Sequence, residues 1–166
     1  KMVERYKEEG AGKLLLLGDI LYHGPRNDLP KDYAPKKVIE ILNGMKEELL
    51  CIRGNCDCEV DQMVLKFPIL ADYAAFWLGD LMMWATHGHV YNMNNLPPFK
   101  KGDILLHGHT HIPAAQSFGD GYYYINPGSL SIPKEGSKNS YMILEGRTFT
   151  LKSVEDGSVI SSFTVE

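Results

Sequence analysis

Apolar residues recur with two different periods along the chain. In residues 1–9, Met2, Val3 and Tyr6 fall on one helical face, and Gly10-Ala11-Gly12 ends the segment. Leu14-Leu15-Leu16-Leu17 is a short continuous apolar run of the kind that a buried parallel strand shows. It stops at Gly18-Asp19, and a loop rich in Gly, Pro and Asn extends to about Pro35. Helical spacing returns at Val38, Ile39, Leu42, Met45 and Leu49. A second buried strand, Leu50-Cys51-Ile52, leads into Arg53-Gly54-Asn55-Cys56-Asp57, where Asp57 reads as the N-cap of a short helix carrying Val60, Met63 and Val64.

The second half reads as strands. Tyr73–Leu78 and Leu81–Thr86 are joined at Gly79-Asp80, and Ile104–Leu106 is a further buried strand. Asp120-Gly121 between Ala114–Phe118 and Tyr122–Ile125 is a strong hairpin signal. Tyr122-Tyr123-Tyr124 reads as strand with rings alternating between core and surface, and Asn126-Pro127-Gly128-Ser129 as a plain turn. Tyr141–Leu144, Thr148–Val154 and Val159–Val165 complete an antiparallel tail. The expectation is two packed sheets with helices outside, in one α/β domain over residues 1–166. Trp77, Met82, Met83 and Trp84 fit either the core or a face shared between identical chains.

Composition narrows the class. At 166 residues, 44% hydrophobic and 23% charged, the chain can bury a sizeable core without disulfides. A formal charge of −4 supplies no basic field for a nucleic-acid polymer. No apolar run is long enough to span a bilayer, so no membrane partner is expected. Three cysteines make no disulfide framework, which points to a cytoplasmic setting.

The chemistry lies where strands end. Four apolar runs are each followed at once by residues able to bind metal: Gly18-Asp19, Gly54-Asn55-Cys56-Asp57, His87-Gly88-His89 and His109-Thr110-His111. In open α/β sheets, ligands bind beyond the carboxyl ends of the strands, so four such ends converge on one crevice. Five of the six histidines (His87, His89, His107, His109, His111) fall between positions 87 and 111. Imidazole nitrogens combined with carboxylate and amide oxygens suit Mn, Fe, Co, Ni or Zn. If extended, His109-Thr110-His111 would turn both rings to one side. His107 follows an apolar run and reads as packed, and Cys56-Asp57-Cys58 lacks the spacing of a thiolate site.

In order and spacing, Gly18-Asp19, Gly54-Asn55, His87-Gly88-His89 and Gly108-His109-Thr110-His111 resemble motifs of the calcineurin-like metallophosphoesterases. The longer strings GDILYHGPRNDLP, RGNCDCEVDQM, THGH, GHTHIP and NPGSLSIPK more narrowly resemble the YfcE-type bacterial phosphodiesterases. The resemblance covers nearly the whole chain and implies a four-layer α/β/β/α sandwich of two mixed sheets. It implies a site for two divalent ions, manganese first among them, with a metal-activated hydroxide attacking a small phosphodiester. By the same resemblance, Asp19 would bridge both ions, Asn55, His87 and His109 would complete the second site, and His111 would belong to the first. Asn55, His89 and His23 would contact substrate, with Asn55 and His89 assisting catalysis. Many relatives carry His where Cys56 stands, so leaving-group protonation at that place is lost and good leaving groups are favoured.

One departure qualifies this reading. The family begins with a strand ending in Asp-x-His, which is found nowhere in this sequence. The first ion then keeps only Asp19 and His111, and a central sheet is expected to show a gap or an exposed edge. The non-Met start suggests an incomplete N-terminus. The rival expectation is a non-catalytic scaffold, or an inactive truncated form, of the same fold. Three histidines and an Asn aimed at one crevice argue for the enzyme.

Overall fold

Two separate hydrophobic cores organise the protein, whose computed structural model describes residues 1–166. The chain runs α1 (Met2–Glu9), β1 (Leu14–Leu16), α2 (Pro35–Gly44), β2 (Leu49–Cys51) and α3 (Glu59–Val64). The strands β3 (Tyr73–Leu78), β4 (Leu81–Thr86), β5 (Ile104–His107), β6 (Ala114–Phe118) and β7 (Tyr122–Asn126) follow. The tail is β8 (Ser140–Glu145), β9 (Thr148–Ser153) and β10 (Val159–Thr164). No helix is long and apolar enough to cross a membrane.

The alternation of β1 explains the layering. Leu14 and Leu16 turn to the first core, where Tyr6, Leu42, Met45 and Leu49 are buried beneath the helices. Leu15 and Leu17 turn to the second, with Ile52, Ile104, Ile125 and Phe149. The second core lies between a mixed five-stranded sheet, ordered β3-β4-β5-β7-β6, and the strands facing it. Strand β5, covered on both faces, is buried at every position.

The second sheet of the sandwich is divided. Strand β1 pairs in parallel with β2 alone, while β8, β9 and β10 form a separate antiparallel sheet. One edge of β1 and one edge of β8 therefore carry no strand. The consequence is visible in burial: all three leucines of β1 are only half-buried, in contrast to β5. Helix α1 spans the division, since Glu9 accepts from the Tyr141 hydroxyl at 2.6 Å and pairs with Lys152. The outer face of the five-stranded sheet is covered by the segment between β4 and β5 and by aromatic rings, not by a helix. Tyr91 and Phe99 of that segment stack on Tyr73 and Trp84. Met83 is core, whereas Trp77 is 71% exposed.

Local differences from the sequence reading have physical causes. The second helix ends at Gly44, a weak helix former, and a 3₁₀ turn over Lys46–Glu48 delivers the chain to β2. Cys58, not Asp57, is the N-cap of α3, with Asp61 returning to the Cys58 N–H at 2.9 Å. Asp57 is buried and serves elsewhere.

Ile125 is fully buried between the layers. Ile125→Ala is expected to lower stability by about 2–5 kcal/mol, read from urea unfolding midpoints.

Candidate active site

The four strand ends singled out in the sequence do meet. Asp19 follows β1, Asn55 follows β2, His87 follows β4 and His109 follows β5. Donor atoms of Asp19, His87 and His109 all lie within 4.8 Å of one another. Nε2 of His87 stands 3.0 Å from Nδ1 of His109, 3.1 Å from Oδ1 of Asn55 and 3.4 Å from Oδ2 of Asp19. The other ring nitrogen, Nδ1, faces the Leu17 carbonyl at 2.5 Å. A carbonyl only accepts, so Nδ1 carries a proton in either charge state, and whenever the ring is neutral Nε2 presents a lone pair. That lone pair faces the oxygens of Asn55 and Asp19, and electron-rich atoms this close need a positive charge among them. The donor set therefore fits a divalent cation of the borderline class.

Asp19 and its neighbours are held by a buried carboxylate. Asp57 accepts from the backbone N–H of Asp19 (2.8 Å), Ile20 (2.9 Å) and Gly54 (2.7 Å), which ties the ends of β1 and β2 together. The N–H of Cys56 then donates to Oδ1 of Asp19 at 2.9 Å. Two glycines allow this approach. A Cβ on Gly18 would lie 2.3 Å from the Gly54 nitrogen, and one on Gly54 would lie 2.1 Å from Oδ1 of Asp19.

The histidine loop has its own clamp. Asn126, read from sequence as part of a plain turn, is fully buried. Its amide donates to the Gly108 carbonyl and to the Thr110 hydroxyl, both at 3.0 Å. His109-Thr110-His111 is not extended: His109 and His111 have φ of 62° and 63°, and Asp19 has 55°. Three of the five non-glycine residues with left-handed backbone thus belong to this crevice, the usual company of a functional site. His107 is packed as expected, its ring 4.8 Å from that of Tyr124.

Burial and charge set the protonation states. For His87, burial is the largest single influence and opposes the charged ring, but the hydrogen bonds to Asp19 and the Leu17 carbonyl and the charges of Asp19 and Asp57 together raise its pKa. Burial pushes Asp19 up, but His87 and the Cys56 N–H together hold it below the usual carboxylate value. Burial, and then the charge of His87, push His109 down to about 4. His89, His107 and His111 are also lowered, chiefly by burial. Burial and the Asp19 carboxylate push the Cys56 thiol up to about 11, so it is protonated at neutral pH.

The remaining candidates stand around this centre. His111 lines a cavity of about 270 Å³ with Asp19, Asn55 and His109, its Nδ1 3.0 Å from the Ile132 carbonyl. His23 lines the same cavity, its ring between Tyr22 and Tyr33, with a buried Nδ1 that has no partner. His89 lies to the other side, 5.3 Å from His87 between ring centroids. The sequence reading missed Asp57 and Asn126 as clamps, and Arg26 and Lys134 on the cavity wall. A polar residue beside a glycine turn signals a clamp only once its burial is known.

Asp57→Ala would strand three backbone N–H groups and is expected to cost about 3 kcal/mol or more in unfolding free energy. Gly54→Ala, whose Cβ would also lie 2.3 Å from the Asp19 backbone nitrogen, is expected to lower the urea unfolding midpoint and to weaken manganese affinity about 10–100-fold as Asp19 is displaced.

Comparison with known proteins identifies the family and the fold. A family model described as the calcineurin-like phosphoesterase superfamily domain matches residues 1–148. Phosphodiesterase YfcE of Escherichia coli K12 is 42% identical over 165 residues, which is 99% of this chain and 89% of that protein. The solved structure of that E. coli phosphoesterase superposes with a TM-score of 0.94 at 43% identity, covering 99% of this chain and 90% of that one. Vacuolar protein sorting 29 of Cryptosporidium parvum shares the fold at a TM-score of 0.55 and 19% identity, over 97% of this chain and 88% of its own. The chain belongs to the calcineurin-like phosphoesterase superfamily and is a hydrolase of that family.

Proposed function

We propose that residues 1–166 form one metallophosphoesterase domain that hydrolyses small phosphodiesters with the help of two divalent ions, manganese first among them. The observation that carries this reading is the convergence of Asp19, Asn55 and His109 on the lone pair of His87. Those four side chains would hold one ion, and Asp19 would bridge to a second held also by His111. No Asp-x-His occurs in the sequence to add donors there. When bound, such ions draw charge from phosphate oxygens and bring hydroxide within reach of neutral pH.

The chain's own residues divide the remaining work. The Leu17 carbonyl fixes the tautomer of His87, which keeps Nε2 available. The Asn55 amide, which donates to Cys56 Sγ at 3.3 Å, would turn to a phosphate oxygen when substrate is bound. His89 and His23 line different cavities beside the centre and would contact the groups attached to phosphorus. The protonated Cys56 is a poor substitute for an imidazolium donor, so turnover should favour leaving groups that depart without a proton. Free thiols at Cys51, Cys56 and Cys58 support a cytoplasmic setting.

The diester reading is supported by a second cavity, of about 310 Å³, which shares His109 with the first. Two substituents on one phosphorus would have a space each, which a monoester does not need.

The manganese-loaded protein is expected to hydrolyse bis(p-nitrophenyl) phosphate, with activity lost on chelation. Asp19→Ala and His109→Ala are expected to reduce turnover by at least about a hundredfold. Metal bound without turnover of any diester would overturn this reading in favour of a non-catalytic scaffold.

In the metal-free protein, pH should act through the histidines. A lowered pKa means that the folded form binds fewer protons than the unfolded one, so stability falls as pH drops from about 6.5. For His109 the loss runs down to about 4, and His89, His107 and His111 act in the same direction. His87 is raised, so its contribution is present at low pH and fades as pH rises through its folded value. Four groups against one predict a lower urea midpoint at pH 5 than at pH 7.5, with manganese affinity weakening in the same direction.

A further inference from the structure

The two cavities that meet at His109 differ in charge. The second is lined by Asn92, Met93, Asn94 and Tyr124 together with histidines, and by no acidic residue, lysine or arginine. The first carries two cations, Arg26 and Lys134, and its only carboxylate is Asp19 at the metal-binding centre. Pro25 and Cys56 are the least polar residues on that wall.

The backbone that carries the exposed side chains of Arg26 and Lys134 is held by hydrogen bonds. A turn closed by Asn27 N–H on the Gly24 carbonyl, and by the Asn27 amide on the His23 carbonyl, holds Pro25 and Arg26 at its central positions. Lys134 donates its own N–H to the His111 carbonyl at 3.2 Å, while His111 Nδ1 faces the Ile132 carbonyl at 3.0 Å. Lys134 is thereby tied to His111, and Arg26 stands beside Cys56, so the two charges approach the cavity from different walls. Neither is paired with a carboxylate, unlike Arg5, Arg53, Arg147 and Lys152. The neighbouring acids Asp28 and Glu135 do not line the cavity.

Two exposed cations on the wall of one cavity, with no carboxylate beside them, offer a site for a second anion. We propose that Arg26 and Lys134 are substrate-specificity residues and that the substrate is an unsymmetrical phosphodiester, with one neutral substituent and one bearing a second anionic group. The neutral substituent occupies the cavity beside Asn92 and Met93, and the anionic one lies between Arg26 and Lys134. Phosphate and carboxylate share the required chemistry, with the guanidinium of Arg26 offering a forked pair of donors and Lys134 a point charge. The proposal rests on the phosphodiesterase reading of the site.

The test uses the manganese-loaded full chain and three diesters with a common p-nitrophenyl leaving group. The other substituent is ethyl, 2-phosphoethyl or 2-carboxyethyl. The protein is expected to prefer at least one anionic diester over the ethyl one by about tenfold in kcat/KM, or about 1.4 kcal/mol, expressed mainly in KM. Which anionic arm is favoured identifies the second group. Added salt should erode the preference. Arg26→Gln and Lys134→Gln should each reduce the ratio, and the double variant should bring it near one. Lys138→Gln, a charge change at an exposed lysine outside the cavity, should leave it unaltered. Equal rates for all three diesters in the unsubstituted protein, or a ratio that survives the double variant, would refute the specificity role while leaving the phosphodiesterase reading intact. No turnover of any of the three would bring down both.

Discussion

Asp57 is the constraint on which the crevice depends. Its carboxylate is buried in the loop after β2, yet it accepts two of its three backbone hydrogen bonds from the loop after β1. Ionised carboxylates make strong hydrogen bonds, and a buried one must be fully answered to be tolerated. Here three backbone donors answer it, and in doing so they draw two strand ends into direct contact. Gly18 and Gly54 complete the arrangement by removing every side-chain atom from the crossing. Asp19 emerges from this joint with little choice of position.

The same joint binds the two cores together. Strand β1 feeds the helix-covered core with alternate leucines and the inter-sheet core with the others. The histidines come from the far side of the inter-sheet core, on β4 and β5. The side chains proposed to bind metal, which come from both layers, therefore register against each other only while the inter-sheet core is closely packed. Asn126 performs on the β7 side the service that Asp57 performs on the β1 side, fastening Gly108 and Thr110 from beneath.

Much of this was legible in the sequence, and the exceptions share a cause. Apolar runs located β1, β2, β4 and β5, and the residues just past them located Asp19, Asn55, His87 and His109, because strand ends in such sheets share a rim. Asp57 and Asn126 were misread as a helix cap and a turn, since local propensity describes them correctly until burial shows what they bind. The left-handed backbone of His109 and His111 was hidden because a two-residue spacing suggests extension. The division of one sheet into β1-β2 and β8-β9-β10 depends on long-range pairing, although the missing Asp-x-His strand foretold an open edge. Arg26 and Lys134 sit more than a hundred residues apart, and nothing local relates them.

Asp19, His109 and His111 adopt torsions that ordinary side chains avoid, and each such residue carries a conformational penalty on the order of 1 kcal/mol or more. Glycine at any of these positions would relieve it, and asparagine is well tolerated in that region too. Evolutionary loss of the chemistry is then favoured twice, by relaxed selection and by a gain in folding stability. A lineage of this fold freed from hydrolysis would drift toward a sturdier, silent protein. The three torsions are therefore a folding cost that the arrangement of this crevice carries.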